Sequence, residues 1–249
     1  MSRQPDYRWN QAEQAQAYDQ AAEHIHPFYL ELQALILDQL PFNSEASFLF
    51  VDLGGGSGRL AELVLERYRA ARVLVLDQSQ PFLDIAKARL DKFTGRGLCG
   101  RCRLQDSWHE ALAETPAVIA SMSAIHHLDP DEKRELYRRC HATLAPGGLF
   151  LNADEVRSDD AADYLARCRA WAEHMHRIIE AGLVPEPMAH GLRAWEERNV
   201  ARFGQPRQSG DDCHETIERQ LDYLRDAGFA DVDAPWHKEM WAVLRARKA

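Results

Sequence analysis

Three groups of residues have the types and spacing to do chemistry. The first is Asp52 with the glycines that follow it, Gly54, Gly55, Gly56 and Gly58. Glycine lets a backbone pass within contact distance of a ligand and adopts φ > 0. A helix beginning after such a turn aims unpaired N–H groups at whatever fills it. This is the pattern of a nucleotide-type cofactor site. The second group is Asp77 with Gln78, at the end of an apolar run where a carboxylate could accept two hydrogen bonds from a diol. The third is His126-His127, since an imidazole titrating near neutral pH suits a general base. As neighbours, their side chains are expected to diverge, one facing the site while the other packs or caps.

The rivals are weighed by charge and spacing. A phosphate-binding P-loop needs Gly-Lys-Ser/Thr after its glycines, and Arg59-Leu60 stands there instead. A dinucleotide fingerprint is met by Gly56-Ser57-Gly58-Arg59-Leu60-Ala61, with Asp77 about 20 residues further on. Against it, the Asp52 carboxylate would face a pyrophosphate, whereas it suits a cofactor with a cationic end. Cys99-Gly100-Arg101-Cys102 has the spacing of half a zinc site, but no second pair follows at the required distance. His174 and His176, two residues apart, do not share a helix face and make poor joint ligands. No metal is expected.

The elements that must position these residues alternate. Helices are expected over Asn10–His24, with Asn10 and Glu13 as a capping box, and over Pro27–Leu40. Then come strands at Phe48–Leu53, Arg72–Leu76, Cys102–Gln105, Ala117–Ala120 and Leu149–Ala153, interleaved with helices at Gly58–Arg69 and Pro81–Phe93 and one starting at Asp129–Glu132. Near-continuous apolar strands alternating with helices imply a parallel sheet covered on both faces. After Asp154 the rhythm changes: residues 159–205 read as helical, Asp212–Ala227 as a helix, and Phe229–Ala234 with Glu239–Arg245 as an antiparallel pair. The fold class is an open, doubly wound, mostly parallel α/β sheet with an antiparallel last strand, N-terminal helices and a helical insertion after the fifth strand. The expected parts are an N-terminal cap (1–45), a cofactor-binding core (46–155), an insertion over the acceptor (156–210) and a C-terminal helix and hairpin (211–249).

The 249 residues carry a formal net charge of −9 and are 45% apolar, enough for a large core and unfavourable to a nucleic-acid partner. Five scattered cysteines do not form a disulfide framework. No membrane span or signal peptide is read, so a cytoplasmic location is expected.

Taken in order, these segments resemble the class I S-adenosylmethionine-dependent methyltransferases that act on small molecules. Val51–Gly58 resembles their cofactor turn, Leu74–Ser79 the end of their second strand, and Leu104–Ser107 the segment that meets the adenine. Ser121–Leu128 is similar to the loop after their fourth strand, Leu144–Phe150 to the turn into their fifth, and Tyr223–Phe229 to the helix end before the last hairpin. The resemblance implies S-adenosylmethionine as cofactor and S-adenosylhomocysteine as product. It implies cofactor contacts from Asp52, Gly54, Gly55, Gly56, Gly58, Asp77, Gln78, Asp106, Ser107, Ser121 and Tyr18, with Asp77 on the ribose and Asp106 on the adenine amino group. His126 and His127 are the catalytic candidates, and Tyr29, Trp171 and His174 line the acceptor. A small-molecule acceptor is the expected partner, with a homodimer as the assembly to test. The alternatives are an NAD(P)-dependent oxidoreductase, an enzyme making carboxymethyl-S-adenosylmethionine for tRNA modification, and a non-catalytic binder of the cofactor.

Overall fold

The computed structural model describes residues 8–208 and 211–249. A single-turn 3-10 helix (Arg8–Asn10) leads into α1 (Ala12–Ile25) and α2 (Tyr29–Asp38). The helix start differs from expectation. Gln11 is the N-cap and makes no side-chain capping bond, so Asn10 lies outside α1.

Strands β1 (Leu49–Leu53), β2 (Arg72–Asp77), β3 (Gly97–Arg101), β4 (Val118–Met122) and β5 (Leu149–Glu155) pair in parallel. β6 (Ala230–Lys238) and β7 (Trp241–Arg247) form an antiparallel hairpin against β5. The sheet order is β3-β2-β1-β4-β5-β7-β6. Helices α3 (Arg59–Arg67), α4 (Gln80–Leu90), α5 (Pro130–Thr143) and α8 (Ile217–Asp226) connect and cover it. β1, β5 and β7 are almost wholly buried because helices cover both faces, which explains their continuous apolar runs. On one face Val64, Val73, Ala120 and Leu151 pack with Leu32 and Ile36 of α2; on the other Val51, Ile119 and Phe150 pack with Leu136, Tyr137 and Leu224.

The insertion holds α6 (Ala161–Glu180), α7 (Glu186–Glu196) and a π-helical turn (Glu197–Ala201). Among the described residues, no helix is long and apolar enough to cross a membrane.

Three further boundaries differ from the sequence reading, the first being the last hairpin, where residues 235–238 belong to β6 and the turn falls at Glu239-Met240. The third strand is Gly97–Arg101, not Cys102–Gln105. Its glycines look like turn residues, but they allow close packing: a Cβ on Gly97 would sit 2.8 Å from Leu90 Cβ, and one on Gly100 2.9 Å from Leu76 Cδ2. The last helix begins at Ile217, capped by Thr216, whose hydroxyl accepts from Arg219 N at 3.3 Å. Residues 212–216 are thereby left outside the helix. The Cys213 N–H donates to the His126 carbonyl (2.7 Å), and the Arg157 N–H to that of Glu215 (3.1 Å).

Candidate active site

The carboxyl edge of the sheet gathers the chemistry, as open α/β sheets do at the point where strand order reverses. Between β1 and α3, Gly54, Gly56 and Gly58 have φ of +67°, +53° and +76°. The Gly54 and Gly55 N–H groups donate to the Leu76 carbonyl at 2.7 and 3.2 Å, which folds the turn onto β2. A side chain at Gly54 would collide with Ala124 Cβ (2.4 Å), and one at Gly55 with the Asp52 carboxyl carbon (2.6 Å).

Asp52 is 1% exposed, and neither carboxylate oxygen has a protein partner. Backbone capping of the glycine turn is therefore not its role here. Burial, then the nearby Asp77 charge, push its carboxyl up to about 7. Asp77, at the end of β2, accepts from Gly56 N (3.0 Å) and Ser79 N (2.8 Å), so it fixes the turn while facing the same edge. Burial raises its pKa against those two bonds. Gln78 is half-buried beside it, its carbonyl taken by Arg101 Nε at 3.1 Å.

Asp106 and Ser107 are exposed. The Asp106 carboxylate accepts from Arg103 N at 2.7 Å, closing its own turn. Ser121 is fully buried, and its hydroxyl donates to the Leu53 carbonyl (2.8 Å), locking β4 to β1 just below the turn.

Helix α1 lies over the glycine turn. Its Asp19, not anticipated from sequence, receives Ser57 Oγ at 2.6 Å, Arg59 Nε at 3.0 Å and Arg89 Nη2 at 2.8 Å. Tyr18 packs edge-on to Trp9 and Phe82, and its hydroxyl lies 3.0 Å from His26 Nε2. Tyr29 is buried and stacks on His26. Trp171 is 4% exposed, donates its indole N–H to the Ile25 carbonyl (3.0 Å) and packs against Trp195 and Trp241. His174 reaches the His24 carbonyl at 2.7 Å. Trp171 and His174 thus fasten the insertion to the N-terminal helices, and the buried Trp171 offers little surface to an acceptor.

The histidine pair departs from expectation. Both residues occupy one 3-10 turn, Ile125–His127, and their rings meet edge to face with centroids 4.0 Å apart rather than diverging. Two carboxylates hold them there. His126 Nδ1 lies 2.6 Å from Asp154 Oδ1, and its own N–H donates to Asp154 Oδ2 at 2.9 Å. Burial opposes charge on His126, but Glu155 and Asp154 outweigh it and raise the imidazole to about 9. His127 Nδ1 lies 3.0 Å from Asp212 Oδ1; its side chain is 32% exposed and that of Asp212 1%. Although burial works the other way, the hydrogen bond and charge of His127 keep the Asp212 carboxyl well below the usual range. Behind this pair, Glu155 lies 2.8 Å from His214 Nε2, and the His214 ring is 2.5 Å from the Tyr164 hydroxyl.

Asp154, Glu155, Asp212 and His214 join the site without belonging to any of its sequence motifs. The pair Asp154-Glu155 at the end of a strand is the signal the sequence offers for them, whereas Asp212 precedes a helix that the sequence pattern extends over it.

A family model described as "Methyltransferase domain" matches residues 50–148. Over 107 residues (43% of this chain and 30% of the relative) the chain is 28% identical to the mitomycin biosynthesis 6-O-methyltransferase of Streptomyces lavendulae. Over 110 residues it is 36% identical to the N-terminal Xaa-Pro-Lys N-methyltransferase 1 of Danio rerio, covering 43% of this chain and 47% of that one. Human N-acetylserotonin methyltransferase in complex with SAM superposes with a TM-score of 0.57 at 19% identity, over 93% of this chain and 57% of that one. The chain thus spans less than two thirds of each of these proteins. The sheet order and this superposition show the class I methyltransferase fold, and residues 50–148 are the segment similar to the methyltransferase-domain model.

Proposed function

We propose that the chain transfers a methyl group from S-adenosylmethionine to a small-molecule acceptor. The observation that carries this is Asp52, a buried carboxylate with both oxygens unpartnered beside a glycine cradle. Such a group is costly to leave unpaired, and an ammonium group relieves it. The amino-acid end of S-adenosylmethionine supplies that ammonium, and Asp77 faces the same edge to accept from the ribose hydroxyls. A pyrophosphate over the glycine turn would meet Asp52 with like charge, which speaks against a nicotinamide cofactor.

When bound, S-adenosylmethionine supplies a methyl group on a sulfonium whose departure leaves a neutral thioether. The protein's work is then alignment, exclusion of water and, for a hydroxyl acceptor, removal of a proton. Asp52, Asp77 and the glycine turn orient the donor. Helix α1, tied down by Asp19, with Tyr18, Trp9 and Phe82, keeps water out. His127 takes the acceptor's proton as general base. Asp212 holds its Nδ1 and stabilises the imidazolium that forms, the division of labour of a histidine–carboxylate dyad. His126 serves from behind, fixed by Asp154. A cytoplasmic location and a homodimer complete the reading.

The test has three arms. S-adenosylhomocysteine should raise the melting temperature, and NAD(H) should not. Labelled methyl should leave the donor across a panel of hydroxyl, carboxylate and amine acceptors that includes peptide N-termini. Asp77→Ala should weaken cofactor binding by roughly 1.5–3 kcal/mol, the scale of a hydrogen bond to a charged group. Unchanged affinity in that variant would overturn the ribose assignment. Binding without transfer to any acceptor would leave only the non-catalytic binder.

A further inference from the structure

We infer that His126, His127 and Asp212 form a binding site for one divalent transition-metal ion. One ligand atom from each of the three lies within 4.8 Å of the others, a separation that side chains sharing one ion can have. Asp154 holds His126 Nδ1 at 2.6 Å, which leaves Nε2 as the metal-binding atom of that ring. A carboxylate on the far nitrogen is the usual support of a metal-bound imidazole, fixing its tautomer and orientation. Asp212 is steadied in the same way, with Oδ2 accepting from Asn199 Nδ2 at 3.3 Å.

Charge favours a cation at this place. Asp154, Glu155, Asp212 and Glu215 are each less than a tenth exposed, and Lys133 is the one buried ammonium or guanidinium among the described residues. Lys133 sits 3.3 Å from Glu215, and the direct partners of Asp154, Glu155 and Asp212 are imidazoles, which an ion could replace. A divalent ion bound here takes the place of protons that the imidazoles otherwise hold. The donor set selects the class of ion: two imidazoles and one carboxylate suit zinc, iron(II) or cobalt(II) rather than magnesium or calcium, which prefer oxygen. Three protein ligands leave coordination positions open. The arrangement was hidden in the sequence because its third ligand lies 85 positions from His127.

The test reads metal binding on the full chain, stripped with a chelator and titrated with Co2+ and then Zn2+. Visible absorption of bound Co2+ and calorimetry with Zn2+ should both give one equivalent, with Zn2+ displacing Co2+. His127→Ala and Asp212→Asn should each lower affinity at least tenfold, and Asp154→Asn by about 10- to 100-fold. His176→Ala removes the exposed His176–Glu196 pair and should leave binding unchanged, which separates this site from surface histidines. Circular dichroism and S-adenosylhomocysteine binding confirm that each variant is folded. No binding by the folded chain, or binding that survives both His127→Ala and Asp212→Asn, overturns the inference. The readout does not require methyl transfer, so metal binding and the methyltransferase reading are tested separately; an ion held here occupies the lone pair that His127 would use as a base, so the general-base role belongs to the metal-free protein.

Discussion

Asp52 is half-protonated near neutral pH, because burial and Asp77 push its carboxyl up to about 7. An ammonium brought beside it favours the carboxylate and lowers that value, so cofactor binding releases a proton. Affinity should therefore fall as pH drops below 7. Calorimetry in buffers of different ionisation enthalpy should show net proton release between about pH 6 and 7.5; none would mean that the ammonium lies elsewhere. If His127 is the proposed general base, His127→Ala should lower kcat on a hydroxyl acceptor by about 10²–10⁴ with S-adenosylhomocysteine affinity unchanged. An equal loss of cofactor affinity would reassign His127 to binding. The glycine turn and its acids were legible in the sequence because the signal is local, one acid two residues before a glycine run. Asp19, Asp154 and Asp212 were not, since their partners stand 38, 28 and 85 positions away and only the folded sheet edge joins them.

Helix α1 is attached to the cofactor turn chiefly through one side chain. Asp19 receives Ser57, Arg59 and Arg89, and all three charged groups are mostly shielded, between 16% and 23% exposed. Asp19→Ala leaves two guanidiniums facing each other without their shared anion. Its urea midpoint should fall by the equivalent of roughly 1.5–3 kcal/mol, and amide exchange should quicken in α1 while β1 and β4 stay protected. Uniform exchange across the chain would show that α1 and the sheet open as one unit. At this scale the strands that are apolar throughout were readable from sequence. β3 was not, because Gly97 and Gly100 serve close packing there and look like turn residues. The start of α8 is not legible, because its cap, Thr216, lies inside a run whose pattern also fits a continuing helix.

Across the whole molecule, two buried histidines set opposite limits on stability. His126 is raised from 6.5 to about 9; its contribution is full below pH 6.5 and is lost as pH rises through 9. His26 is lowered to about 4, by burial ahead of the opposing pull of Glu155. It stays neutral in the fold, so stability is lost as pH falls from 6.5 towards 4. Thermal unfolding followed by circular dichroism should show the midpoint falling from about pH 7 to 9.5, and Asp154→Asn should flatten that alkaline limb. An unchanged limb in the variant would place the titrating group elsewhere. The backbone bond from Arg157 N to the Glu215 carbonyl has a wider consequence. It ties the exit and return of the helical insertion at one point on the sheet edge, beside the bond from Cys213 N to the His126 carbonyl. The insertion leaves and rejoins the sheet edge through one doorway, while Trp171 and His174 moor its far side to the N-terminal helices; a loop grafted between those two backbone bonds would preserve the sheet edge but would have to bring its own mooring to α1.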